Sequence, residues 1–311
     1  MSAGVSAIVC TYNRCESLRQ TLQALAGQAL QPGLAMEILV VDNNSTDRTR
    51  EVIEEAARQS RWPIRYLFEP RQGKTHALNH GIREARGELL VFTDDDAIPE
   101  ARWAQALWDD AALLQADCLG GRIAPRWVVP PPAWLLPRRD LLLALALLDL
   151  GPAPKVATIH EAYFVFGVNM ACRRRLFDDV GLFRTDLGPQ GRRLSRGDDT
   201  ELVVRAFQAG KRVAYTPRAV VHHLVPPDRV RKSYFRRWKF ETGRSEAVLE
   251  DDLARGAPRW LVRRCLEDGT GALWDYGRGR ADQGLTREMA FWHRLGQLVG
   301  AWGRGRHRAG H

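Results

Sequence analysis

The sequence predicts an α/β fold: a mostly parallel, Rossmann-like sheet with helices on both faces and a helical extension at the carboxyl end. Three observations carry this expectation. Through the first 120 residues short apolar runs alternate with amphipathic helical stretches, the order that gives right-handed crossovers and parallel strands. Several of the runs are continuously apolar, as strands buried on both faces are. Each run also ends in polar residues, and open α/β sheets bind ligands in the crevice outside the carboxyl ends of their strands.

Val5–Cys10 (VSAIVC) is the first expected strand, and TYNR turns the chain into a helix with Leu18, Leu22, Leu25 and Ala29 on one face. Glu37–Val41 is the second strand. It ends in DNNSTD, residues that turn the chain and cap helices, before the stripe of Val52, Ile53, Ala56 and Ala57. Ile64–Phe68 is the third, and the helix after Gly73 carries Ala77, Leu78, Gly81, Ile82 and Ala85. The chain then reaches GELLVFTDDDAIP (87–99), where the strand Leu89–Phe92 runs into Asp94, Asp95 and Asp96. In extended backbone Asp94 and Asp96 project to one side and Asp95 to the other. One or two carboxylates aimed at a cleft suit a hard divalent cation shared with phosphate oxygens; a solvated acidic turn is the plainer alternative.

A helix is expected over Glu100–Gln115, with Trp103 and Trp108 packing on adjacent turns. The proline-rich GGRIAPRWVVPPPAWLLP (120–137) reads as a rigid extended connector, and RRDLLLALALLDL (138–150) as an amphipathic or buried helix. Gly167–Phe177 should run from a strand into a helix, and LGPQGRRLSRGDD (187–199) has the composition of a mobile loop. Asp198, Asp199 and Glu201 then open a helix with Leu202, Val203, Ala206 and Phe207 on its apolar face. Capping-box spacing explains Asp198 and Glu201 but leaves Asp199 unassigned. Val213–His223 is a strand ending in two histidines that face opposite ways, so at most one can meet a metal.

The net charge of +9 is concentrated at the end: residues 211–311 hold 21 Lys or Arg against 11 Asp or Glu. Such a region can meet phosphorylated ligands, an anionic membrane or nucleic acid. No nucleic-acid module accompanies it, so no nucleic-acid partner is expected. The last sixty residues form basic amphipathic helical runs suited to packing as a cap, to a dimer contact, or to lying on anionic lipid, and GRGRHRAGH reads as a disordered tail. No apolar run approaches the roughly 18 to 20 residues that cross a bilayer, and the start runs almost directly into a strand, which predicts no secretory leader. The five cysteines show no C-x-x-C spacing and read as reduced thiols. These features predict a cytoplasmic protein able to sit peripherally at the inner face of a membrane.

The dinucleotide fingerprint G-x-G-x-x-G is absent after the first strand, as is the P-loop motif, so a diphosphate must be neutralised in another way. A metal at Asp94–Asp96 would do so. VSAIVCTYNR, VVDNNSTDRT and GKTHALNHGIREARGELLVFTDDDA, followed by GVNMACRRRLFDDVGLF and RGDDTELVVRAFQAGKRVAYTPRAVVHH, together resemble the family 2 glycosyltransferases of the GT-A fold. The resemblance reaches to about residue 245. It implies a catalytic domain over 1–245, with a nucleotide half (1–120) and an acceptor half (121–245), before a basic extension at 246–311.

By that resemblance Thr11, Tyr12 and Asp42 would hold the base, Lys74 would lie near the nucleotide, Asp94 would approach the ribose or metal, and Asp95 would join the cofactor-binding residues. Asp96 and His223 would bind Mn²⁺ or Mg²⁺, and Asp199 would be the general base of an inverting transfer. The donor would be a nucleotide-diphosphate sugar and the acceptor a hydroxyl. Cys10 stands where the family usually has proline, and Leu78 where arginine is common. YFRRWKFETGRS (234–245) is similar to the Q-x-x-R-W segment of processive synthases with Tyr234 at the glutamine position, which favours transfer of a single sugar; Arg236, Arg237 and Lys239 are candidates for diphosphate contact. A nucleotidyltransferase and a catalytically degenerate glycan-binding protein are the rival readings.

Overall fold

The computed structural model describes residues 4–159, 164–187, 197–249 and 257–308. It divides into two compact units, one of Met1–Trp127, Ala146–Arg193 and Gly197–Val225, the other of Val128–Leu145, Leu194–Arg196 and Pro226–His311.

The first unit is the sheet and its covering helices. Strands β1 (Gly4–Thr11), β2 (Ala35–Asp42), β3 (Ile64–Phe68) and β4 (Leu89–Asp94) alternate with helices α1 (Cys15–Ala26), α2 (Thr49–Gln59) and α3 (Lys74–Glu84). All the pairings among these four strands are parallel. Ile8, Leu39, Leu90 and Phe92 are buried beside Ala77 and Ile82 of α3 in one core. Burial of such side chains contributes roughly 1.5–3 kcal/mol each, which is why continuous apolar runs settle as central strands.

Beyond β4 the sheet becomes mixed. After β5 (Ala97–Pro99) and α4 (Trp103–Leu113) come β6 (Cys118–Trp127), the short α5 (Arg139–Ala144), β7 (Lys155–Val156), β8 (Met170–Arg173), α6 (Arg174–Val180), α7 (Asp198–Gln208) and β9 (Val213–Val225). The strand order is β3-β2-β1-β4-β8-β6-β9-β5, with β7 also on β9. Here β8 lies antiparallel to β4 and β6, while β9 is parallel to β6.

Two expectations change. The proline-rich stretch begins as a strand, since β6 continues through Pro125 to Trp127 against β9. The apolar stretch from 138 keeps a helix only over Arg139–Ala144, and Leu148 bridges to Ile123 instead. Most of the Gly-rich segment before Asp198 lies outside the described residues.

The second unit contains α5 and three long helices, α8 (Lys232–Leu249), α9 (Arg259–Gly277) and α10 (Ala281–Arg308). Leu261, Cys265, Leu298, Ala301 and Ala247 form its core. Helices α8 and α10 meet through glycines: a Cβ on Gly243 would lie 2.0 Å from the His293 carbonyl oxygen, and one on Gly296 2.0 Å from that of Phe240. Only glycine allows backbones so close. Arg236 and Tyr276 both bond Glu288, at 2.5 and 2.7 Å, and Lys239 pairs with Asp140 at 3.3 Å. Helix α10 extends to Arg308, into the stretch read as a disordered tail, whose last three residues lie outside the described ones. No helix among the described residues is long and apolar enough to cross a membrane.

Candidate active site

Strand register brings the predicted residues together. Thr11 of β1 is opposite Asp42 of β2, and Cys10 is opposite Asp94 of β4. The carboxyl ends of three parallel strands therefore present their polar groups side by side. Asn13, with φ of 53°, turns the chain after β1; asparagine tolerates this left-handed geometry better than most residues. Its side-chain carbonyl accepts the Thr46 N–H at 2.7 Å, tying the turn to the loop after β2. Tyr12 emerges 45% exposed. Asp42 is buried, and its oxygens accept from the Tyr66 hydroxyl at 3.0 Å and the Ser45 N–H at 2.8 Å.

The three consecutive aspartates separate into two settings. Strand β4 ends at Asp94, which pairs with Lys74 at 2.5 Å. Asp95 and Asp96 then form the turn into β5, so the alternation of extended backbone stops there. Both carboxylates instead receive one guanidinium: Arg14 Nη1 lies 3.1 Å from Asp95 and 2.8 Å from Asp96. Thr11 Oγ1 donates to the other oxygen of Asp95 at 2.8 Å. Burial pushes Asp95 up to about 6, with Asp96 and Asp94 adding to the rise against the pull of Arg14 and Thr11.

The pairing of β5 with β9 puts Ala97 opposite His223, and Leu224 N–H donates to the Asp96 carbonyl. As a result His223 Nε2 lies 3.3 Å from Asp96 Oδ1, and His223 is buried. His222 faces the other way and meets Glu100 at 3.1 Å in a more exposed position. Among the described residues no group of three or more His, Cys, Asp or Glu is placed to hold a metal. The donors that meet here among the described residues are the Asp96 carboxylate and the His223 imidazole. That set fits a divalent cation whose remaining positions are filled by phosphate oxygens and water.

Asp198 and Asp199 occupy the first turn of α7. Gly197, in the left-handed region with φ of 102°, is the cap, and no side chain caps the helix. The capping-box account of Asp198 and Glu201 therefore fails: Asp198 is already inside the helix, and Glu201 pairs with Arg205 at 2.7 Å. Asp199 Oδ2 accepts the Gly167 N–H at 2.8 Å, while Oδ1 is buried and, among the described residues, has no hydrogen-bond partner. Burial raises Asp199 to about 7, with Asp198 adding to the rise and Lys74 opposing it. Lys74 in turn would be lowered by burial, but Asp94, Asp199 and Asp198 hold it well above the usual lysine range. This lysine couples the acids after β4 to those opening α7.

Sequence reasoning missed two contributors. Arg14 was legible only as part of a turn, and its bridging role depends on a turn 80 residues away. Gly167 presents its N–H to Asp199, and a Cβ there would lie 2.9 Å from Asp199 Oδ1. A glycine opening GVNM was the available signal.

A sheet of this order, with acids gathered at the carboxyl ends of its strands, has the architecture of the GT-A glycosyltransferases. The profile of Glycosyl transferase family 2 matches residues 6–181, and the chain belongs to that family. A second profile, Glycosyl transferase family group 2, matches residues 148–300. Succinoglycan biosynthesis protein ExoM of Rhizobium meliloti (strain 1021) is 25% identical over 249 residues, 80% of this chain and 75% of that protein. The glucosyl-dolichyl phosphate glucuronosyltransferase of Haloferax volcanii is 25% identical over 250 residues, 79% and 77% of the two chains.

Among solved structures, the mannosyltransferase PcManGT from Pyrobaculum calidifontis, in complex with GDP-Man and Mn²⁺, superposes with a TM-score of 0.59. It is 22% identical, with 97% of this chain and 86% of that one covered. S. aureus TarS 1–349 in complex with UDP gives 0.55 at 15% identity, covering 99% and 92%. Against a longer TarS chain the coverage of that chain falls to 55%. The protein is a family 2 glycosyltransferase, which sets aside both a nucleotidyltransferase and a degenerate binding protein.

Proposed function

We propose that the chain transfers a single sugar, with inversion, from a nucleotide-diphosphate donor to a hydroxyl on a glycan, lipid or small molecule. The observation that carries this is Asp199. It is a carboxylate fixed through one oxygen by Gly167, with its other oxygen unpartnered among the described residues and an ionisation near neutrality. Those are the properties of a general base working at physiological pH. The acceptor hydroxyl gives its proton to Asp199 as its oxygen bonds to the anomeric carbon, and the bond from that carbon to the diphosphate breaks. The nucleoside diphosphate leaves with the bonding electrons from the face opposite the attack.

Tyr12 would stack on the base at the exit of β1, with Thr11 and Asp42 beside it. Lys74 and Arg14 bring positive charge to the strand ends where the diphosphate would lie. A divalent cation, Mn²⁺ or Mg²⁺, would be held by Asp96 and His223 and would stabilise the charge on the departing diphosphate. UDP is the first donor nucleotide to test, with GDP the second; the related structures in complex with UDP and with GDP-Man and Mn²⁺ support a donor of this class.

The test is incubation of the purified chain with a panel of nucleotide sugars and hydroxyl acceptors in the presence of Mn²⁺. Release of nucleoside diphosphate with a glycosylated product of inverted anomeric configuration is expected. Product of retained configuration would overturn the assignment of Asp199.

A further inference from the structure

Helix α9 is two-sided in an unusual sense. Its inner face buries Leu261, Cys265, Ala272 and Asp275. About 100° round the helix from it a second apolar stripe is exposed: Leu266 is 63% exposed and Leu273 75%, Val262 stands beside them, and Trp260 and Trp274 are exposed farther round the same outer side at 59% and 61%. Positions 262, 266 and 273 fall within about 40° of one another around the helix. A shallow, open depression of about 520 Å³ runs along Arg259, Val262, Arg263, Leu266 and Thr270 on the same side.

Arginines border this stripe. Arg263 and Arg264 have strongly exposed side chains and share a single acid, Glu267, at 2.7 and 4.0 Å. Arg278 lies over the Trp274 ring at 4.1 Å, and Arg259 opens the helix. The exposed face thus combines aliphatic residues, tryptophans farther round and a net excess of guanidinium groups. Amphipathic helices that lie in the plane of a bilayer combine an apolar stripe, tryptophan and basic residues in this way. Water would not favour such a face unless something covers it.

We propose that the outer face of α9 docks on the surface of an anionic lipid bilayer, with Val262, Leu266 and Leu273 entering the acyl boundary and the bordering arginines meeting lipid phosphates. Charge complementarity selects this occupant over a second copy of the chain. A two-fold contact through the same stripe would set one arginine border against another, with Glu267 the acid among the described residues on each side to offset them. The surface is independent of the chemistry proposed above and can fail without affecting it.

The experiment is flotation of the full chain with vesicles of phosphatidylglycerol and phosphatidylcholine, compared with phosphatidylcholine alone. Two surface variants run beside it: Leu266→Glu with Leu273→Glu, and Arg263→Glu with Arg264→Glu. These positions are solvent-exposed, so thermal unfolding and transfer to a soluble acceptor should be unchanged. The wild type is expected to float with the anionic vesicles only, and less at high salt; each double variant should lower the bound fraction roughly tenfold. Wild type that stays unbound, or variants that float as well as wild type, would overturn the proposal. So would a concentration-dependent dimer in sedimentation that both double variants abolish.

Discussion

The candidate site draws on two pairs of adjacent aspartates, Asp95–Asp96 and Asp198–Asp199, and they are treated differently. Asp95 and Asp96 sit in a turn between strands, with Arg14 bonded to both and His223 against the second. Asp198 and Asp199 open a helix, and among the described residues no arginine is bonded to them; the positive charge of Lys74, itself bonded to Asp94, reaches them. The first pair is thus arranged to live with a cation. The second is left with one oxygen unpartnered among the described residues and a proton affinity near neutrality. In the roles proposed above, the first pair serves as a cation holder and the second as a proton acceptor, according to what faces each.

Breaking the second pair should have the largest effect. Asp199→Asn keeps the size of the side chain but cannot take a proton, so kcat should fall roughly 10³-fold while the fold is unaffected. Rates of nucleoside diphosphate release measure this. Breaking the first pair with Asp96→Ala should lower kcat/KM roughly a hundredfold, within the several kcal/mol that a bound cation contributes to transition-state charge. A Mn²⁺ titration of the variant checks it: excess metal should not restore the rate. Gly167→Ala should come next. The added methyl meets Asp199 Oδ1 at 2.9 Å, and displacing a catalytic group by a fraction of an ångström costs roughly tenfold or more.

The subtlest contrast is one of sign. With Asp199 raised to about 7, the active form is the carboxylate, so kcat/KM should rise with pH through neutrality and level off above it. Asp198 raises that ionisation and Lys74 lowers it. Asp198→Asn should therefore move the acid limb of the pH profile to lower pH, and Lys74→Met should move it to higher pH. Profiles that move together would break the coupling assigned to Lys74.

The nucleotide half was legible in the sequence because its signals are local. Continuous apolar runs such as LLVF and ILVV can only be buried strands when helices of the right period separate them, and β1 to β4 follow. The later half depends on pairings between distant segments. Nothing near Met170 announces that β8 must run antiparallel to β4, nor does the proline content of 120–137 reveal that β6 and β9 hold its first part extended. The site follows the same division. Thr11, Asp42 and Asp94 converge by simple parallel register. The meeting of Asp96 with His223 required β5 to pair with β9, and the seat of Arg14 required a turn at Asp95 that broke the expected alternation.

Calorimetric titration of a nucleoside diphosphate, UDP and then GDP, in the presence of Mn²⁺ into the wild type, Asp96→Ala and Asp199→Asn puts the whole division to trial in one experiment. A cation-holding pair and a proton-accepting pair predict that Asp199→Asn binds as the wild type does while turning over roughly 10³-fold more slowly, and that Asp96→Ala loses the Mn²⁺-dependent part of binding. Equal loss of affinity in both variants, or undiminished turnover in Asp199→Asn, would contradict it.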